Sequence, residues 1–269
     1  MREALRRGVS DIPVQALERI ALMLDEAARA RRPVPQLAQQ GDELTLAQAY
    51  RVQAQLLQLR ASRGERLVGL KMGFTSEAKR AQMKIDDLIW GRLTDAMRIG
   101  SGGSLALSHY IHPRIEPELA FLLETPLRGA VSAEQARAAI GAVAPALEVL
   151  DSRYRDFRFS LPDVIADNSS AAAFVVGEWR PLPADLKNLP ITLAFDGEVL
   201  ESGSSAAIMG DPLRSLMAAA RLAAEADLTL EAGWLVLAGG ATAAHPLVSG
   251  TRVSVAVGSL GAAHLEVRA

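Results

Sequence analysis

The sequence has 269 residues, 49% hydrophobic and 22% charged, enough apolar material for a full core and too apolar for a disordered chain. Lysine and arginine number 29 against 31 aspartates and glutamates, so the net charge of −2 supplies no pull toward nucleic acid or an acidic membrane. Cysteine is absent, which excludes disulfides, thiolate metal sites and a cysteine nucleophile.

The charged amphipathic start, Met1 to Arg7, lacks the apolar stretch of a secretion signal, and no later run has the length of a membrane span. A soluble globular protein of the cytoplasm is the expectation. Residues 14–31 place Leu17, Ile20, Ala21, Leu24, Ala27 and Ala28 at helical spacing. Pro33 and Pro35 break that pattern. A second helix is predicted over residues 45–63, capped by Thr45, with Ala47, Tyr50, Ala54 and Leu57 on one face.

From residue 67 the texture changes to short apolar runs punctuated by Gly, Pro and Ser. Strands are predicted at 67–72, 115–123, 144–150, 190–195, 198–201, 234–237, 251–257 and 261–267, with Asp196-Gly197 as a hairpin turn. Helices are predicted at 132–140 and 212–226, the second with Pro212 in its first turn. Strands and helices do not alternate regularly, which argues against a doubly wound parallel sheet. The expected class is α+β, with a helical N-terminal region (1–66) packed on a β-rich core (67–269).

The most informative stretch is residues 111–123, Ile-His-Pro-Arg-Ile-Glu-Pro-Glu-Leu-Ala-Phe-Leu-Leu. Side chains alternate along a strand, so Glu116 and Glu118 share a face with Cα atoms about 7 Å apart. Two like charges on one face of an apolar strand are costly unless a cation or hydrogen bonds offset them. Glu148 is a third acid in an apolar run. Three carboxylates without thiolates suit a hard cation, Mg²⁺ or Mn²⁺. The spacing equally allows a solvated face, with Glu148 paired to Arg114 or Arg153.

Lys71 lies between glycines in a predicted buried strand, where a lysine needs an anionic partner or must reach the surface. Arg153 follows Glu148 closely and suits carboxylate recognition, or belongs to a structural loop. Residues 166–170, Ala-Asp-Asn-Ser-Ser, read by themselves as a turn or cap. The four histidines have no metal-ligand or triad spacing, and neither a phosphate loop nor a Gly-x-Ser-x-Gly elbow occurs.

Five stretches in order, 69–76, 111–118, 147–154, 166–170 and 239–244, together resemble the fumarylacetoacetate hydrolase superfamily. The resemblance is to its branch of 2-oxopent-4-enoate hydratases and 4-oxalocrotonate decarboxylases. It implies a roll-like core of mixed strands, with Glu116, Glu118 and Glu148 holding Mg²⁺ or Mn²⁺. It also implies a homo-oligomer able to associate with a related hydratase. Within the branch, residues 88–91 read Leu-Ile-Trp-Gly where hydratases carry Pro-Asp-Phe-Gly, so Ile89 replaces the aspartate. Met72, Tyr154, the Phe157-Arg158-Phe159 run and the Ala243-Ala244 pair are decarboxylase-like as well, whereas Lys84 and Asp87 depart from both patterns.

The activity so implied is metal-dependent decarboxylation of 4-oxalocrotonate in meta-cleavage catabolism of aromatic compounds. Lys71 would hold or protonate an oxyanion, Ser169 and Thr242 would donate hydrogen bonds, and Leu88 and Ile89 would form an apolar wall. Alternatives are the hydratase activity and a non-catalytic partner in a hydratase/decarboxylase complex.

Overall fold

The computed structural model describes residues 13–76, 80–81 and 86–269. Met1 to Arg7 and Lys84 lie outside the described residues. The first helix, α1 (Val14–Ala30), buries Leu17, Ile20, Ala21, Leu24 and Ala27 and stops at left-handed Arg31. The second, α2 (Leu46–Ala61), begins with a capping box between Thr45 and Gln48. Its buried stripe is Ala49, Val52, Gln53, Leu56 and Leu57, whereas Ala47 is exposed and Tyr50 and Ala54 are half-buried. The stripe is rotated from the expected face because Gln53, though polar, is an anchor. Its amide Nε2 donates to the carbonyls of Trp90 and Ile165, 3.0 Å each.

Two mixed sheets form the rest. The large one has the order β2 (Ile89–Thr94), β1 (Leu67–Gly73), β10 (Leu235–Leu237), β5 (Arg114–Leu123), β6 (Ile140–Leu150), β7 (Ala171–Val176) and β3 (Arg98–Gly100). The short β11 (His245–Pro246) pairs with β5. The smaller sheet runs β4 (Ser104–Ala106), β13 (Gly261–Arg268), β12 (Arg252–Val257), β8 (Pro190–Phe195) and β9 (Glu198–Ser204). Asp196-Gly197 turns β8 into β9, as expected. Strands β2 and β7, and the short β3, β4 and β11, were not expected. All six β2 residues are buried, which erases alternation, and the alanines that open β7 carry little strand signal.

One face of the large sheet, with Leu70, Trp90, Ile115, Phe121 and Val149, packs against the small sheet and the helix at Pro212–Glu225. Its other face carries Ala120, Ala144 and Ala146 beside Phe174 and Leu237. These small residues let the sheet curl. Helices α1 and α2 share one apolar cluster with Ile89, Tyr154 and the helix at Leu161–Ala166. The Pro33–Pro35 break serves this packing, because Val34 N–H donates to Arg153 O at 2.8 Å and Arg155 N–H to Val34 O at 3.0 Å.

Candidate metal centre and active-site cavity

Strand register assembles the site. Glu116 stands opposite Glu148 in the β5–β6 pair, and Glu118 follows two residues along the same face. On the other side of β5, Ala120 pairs with Leu237, and Leu237 with Lys71. Lys71 therefore faces the same way as the three glutamates. One carboxylate oxygen from each glutamate lies within 4.8 Å of the others.

All four side chains are buried, Lys71 at 3% exposure, Glu116 at 9%, and Glu118 and Glu148 at 0%. The lysine neither reaches the surface nor leaves Glu148 to an arginine. Its Nζ is 3.0 Å from Glu148 Oε1 and donates to Ser169 O at 3.3 Å. Burial alone would lower the Lys71 ammonium, but the three carboxylates overcome it and hold it above its ordinary value. Burial pushes Glu118 well above the carboxylate range, aided by Glu148 and Glu116. Burial raises Glu148 to about 7, Lys71 opposing and Glu116 adding to the rise.

One lysine cannot neutralise three carboxylates. Glu118 Oε2 accepts the Gly239 N–H at 2.8 Å, but Glu118 Oε1 and Glu148 Oε2 have no hydrogen-bond partner. Orphaned, mutually repelling oxygens in an all-oxygen donor set fit a divalent hard cation, which would offset the repulsion and use the free lone pairs. Close approach is built in at Gly240, where a Cβ would lie 2.4 Å from Glu116 Oε2.

Beside the cluster opens a cavity of about 200 Å³. Its wall includes Phe74, Ile89, Arg114, Phe157, Phe159 and Ser170. The Arg114 guanidinium lies over the Phe157 ring, 4.5 Å from its centroid. Of the residues singled out from sequence, Lys71, Glu116, Ile89 and Ser169 line this cavity, and Glu118 and Glu148 complete the carboxylate cluster beneath it.

Three others are placed elsewhere. Arg153 is buried against Asp167, with its Nε on Asp167 Oδ1 and its backbone N–H on Oδ2 at 2.9 Å. That guanidinium anchors the 167–170 loop and does not reach the cavity. Leu88 packs into the core between the sheets and lines a neighbouring cavity with Tyr50 and Arg92, since it precedes β2 with its side chain turned away from the carboxylates. Thr242 Oγ1 donates to Ala243 O at 3.2 Å, and its methyl group faces Gly203. From that segment Gly240 and Ala244 line the cavity instead. Asp87, unlike either family pattern, is held by Arg221 at 2.8 Å.

Sequence reasoning missed Arg114 and Ser170. Counting back two residues from Glu116 along the same strand face finds Arg114. No local signal separates Ser170 from Ser169.

The fumarylacetoacetate (FAA) hydrolase C-terminal family model matches residues 69–268, and the chain belongs to this family. It is 54% identical over 246 residues to a 4-oxalocrotonate decarboxylase of a Pseudomonas species, covering 91% of this chain and 95% of that one. It is 37% identical to a 2-keto-4-pentenoate hydratase of Burkholderia vietnamiensis, over 92% of each chain. The 4-oxalocrotonate decarboxylase of Pseudomonas putida, solved in complex with magnesium and adipate, superposes with a TM-score of 0.92 at 35% identity. That match covers 96% of this chain and all of the solved one.

Proposed function

We propose that this chain is a divalent-metal-dependent carboxy-lyase that converts 4-oxalocrotonate (2-oxohex-3-enedioate) to 2-hydroxypenta-2,4-dienoate and CO₂. The observation that carries the reading is the buried Glu116–Glu118–Glu148 cluster with Lys71 beside it, at the base of a cavity walled by Ile89. The relatives named decarboxylase support it.

Glu116, Glu118 and Glu148 would hold Mg²⁺ or Mn²⁺. When bound, such a cation supplies Lewis-acid stabilisation to the 2-oxo acid end of the substrate. In the reaction the C5–C6 bond breaks and its electron pair forms C4=C5. The C3=C4 pair moves to C2=C3, and the carbonyl pair goes to the C2 oxygen, which then takes a proton. Lys71, kept charged by the glutamates, stands on the cavity wall as the donor for that oxygen. No organic cofactor is required, because the substrate carries its own electron sink. Ile89, Phe157 and Phe159 keep the wall apolar, which disfavours the hydrated carboxylate that must leave and excludes attacking water.

The hydratase reading shares the cluster but adds water, and Ile89 offers no group that could carry the proton. An ultraviolet assay of purified protein with Mg²⁺ decides between them. Loss of 4-oxalocrotonate absorbance is expected, and hydration of the dienoate without decarboxylation would overturn the choice. A non-catalytic partner would fail to bind Mn²⁺ in calorimetry. The reading includes a homo-oligomer, able to associate with a related hydratase, which light scattering checks. It also includes a cytoplasmic location, with which a chain without cysteine is compatible. No described helix is long and apolar enough to cross a membrane.

A further inference from the structure

Residues 168–170 form a strained loop at the edge of the cavity. Asn168, Ser169 and Ser170 have φ of 51°, 53° and 58°, three consecutive side-chain-bearing residues in the left-handed region. Each such residue is costly and persists only where its surroundings over-determine it.

Here they do. Asn168 acts as a strand partner, its Oδ1 accepting from Arg92 N–H at 2.7 Å and its Nδ2 donating to Arg92 O at 2.8 Å. Ser169 Oγ donates to Trp90 O at 2.8 Å. The Ser170 N–H donates to Asp167 O at 3.0 Å, and Ser170 O accepts from Asp151 N–H at 2.9 Å. Gly91 makes room, because a Cβ there would meet Asn168 O at 2.5 Å. The Asp167 carboxylate is clamped in turn by Arg153.

One group is left over. Ser170 is buried, its hydroxyl has no hydrogen-bond partner, and the residue lines the cavity. A buried hydroxyl without a partner is costly. The same strained loop aims the Ser169 carbonyl at Lys71. Ser169 thus spends its hydroxyl on the fold and its carbonyl on the lysine, while Ser170 keeps its hydroxyl for the cavity.

We propose that Ser170 is a substrate-contacting residue whose hydroxyl donates to an oxygen of the bound 2-oxo acid, and that the Ser169 hydroxyl serves to hold the loop. This rests on the reading of the cavity as a 2-oxo acid site. The test compares Ser170→Ala and Ser169→Ala by calorimetry with Mg²⁺ alone, calorimetry with 2-oxopentanoate in saturating Mg²⁺, and melting temperature.

Ser170→Ala is expected to weaken 2-oxopentanoate roughly ten- to hundredfold, the scale for one hydrogen bond to a charged acceptor. Mg²⁺ affinity should stay unchanged, and the melting temperature should hold or rise, since an unsatisfied hydroxyl is removed. Ser169→Ala should instead lower the melting temperature by about a few degrees, by removing the hydrogen bond that ties the loop to the Trp90 carbonyl, which keeps its bond from Gln53. Wild-type affinity for 2-oxopentanoate in Ser170→Ala overturns the inference. So does a parallel loss of Mg²⁺ affinity, or a fall in melting temperature matching that of Ser169→Ala. Failure of the wild type to decarboxylate 4-oxalocrotonate would remove the functional reading alone, because the calorimetric comparison needs no turnover.

Discussion

Lys71 and Glu148 form a buried pair inside a cluster that carries two further carboxylates, so the lysine matters twice. Lys71→Met removes the cation that pairs with Glu148 inside the cluster of three acids. In the metal-free protein that should cost about 3–5 kcal/mol, as for other broken buried pairs. Saturating Mg²⁺ should recover much of the loss, while turnover remains down by roughly 10²-fold or more. Melting curves with and without Mg²⁺, together with the decarboxylation rate, check this. A variant equally stable with and without metal would show that Lys71 is not part of the charge balance. Ile89 tests the other wall. Ile89→Asp puts a carboxylate into a buried apolar setting, so its pKa should rise and stability should fall by about 1–3 kcal/mol. Decarboxylation should slow, with slow dienoate hydration as the gain to look for in the same buffer. Unchanged decarboxylation would take Ile89 out of the substrate's reach.

The element that shapes the site is the segment from Asp151 to Ser170. Its short helix at Leu161–Ala166 starts with a Ser160–Asp163 capping box and leads into the left-handed loop that Arg153 and Asp167 clamp. Arg153→Met leaves Asp167 buried without its cation, a change that should cost about 3–5 kcal/mol. Activity should fall through loss of the loop, and Asp167→Asn on the Arg153→Met background should restore part of the stability by removing the orphan charge. A fully active and stable Arg153→Met would refute the clamp. This segment was poorly legible beforehand. Ala-Asp-Asn-Ser-Ser reads as an ordinary turn, and Arg153 reads as a substrate ligand or a loop arginine equally well. Its actual role depends on Asp167, fourteen residues away.

For the whole molecule, the carboxylate cluster couples metal binding, protonation and stability. Without metal the folded state holds protons that the unfolded chain releases, since Glu148 sits near 7 and Glu118 well above its usual range. A raised carboxylate stabilises most below its unfolded pKa and loses that contribution as pH rises through its folded value. The metal-free protein should therefore lose melting temperature steadily from about pH 4.5 to 7. Mg²⁺ must displace those protons, so its affinity should climb over the same window. At pH 8 and a hundred-fold excess over its dissociation constant, it should add about 2.7 kcal/mol of stability. Differential scanning fluorimetry across pH, with EDTA or Mg²⁺, measures both trends. A metal-free curve that rises with pH would contradict the raised carboxylates.

Much of the design was local, and local patterns can be read from sequence. The period of two in β5 puts Glu116 and Glu118 on one face whatever surrounds them, and the capping box at Thr45 needs only four residues. The mixed α+β character followed from apolar runs and turns in the same way. The meeting of Lys71 with Glu148 did not, because it depends on β10 slotting between β1 and β5 from more than a hundred residues away. The rotated face of α2 is of the same kind, set by two carbonyls on distant segments to which Gln53 donates. So is the division of labour between Ser169 and Ser170, neighbours of identical chemistry that a left-handed backbone turns toward different partners. Sequence by itself determined which residues could carry the chemistry, since side-chain type and strand period are properties of short segments. Only the tertiary structure decided which of them face one another, since strand order and register are set by contacts between segments far apart in the chain.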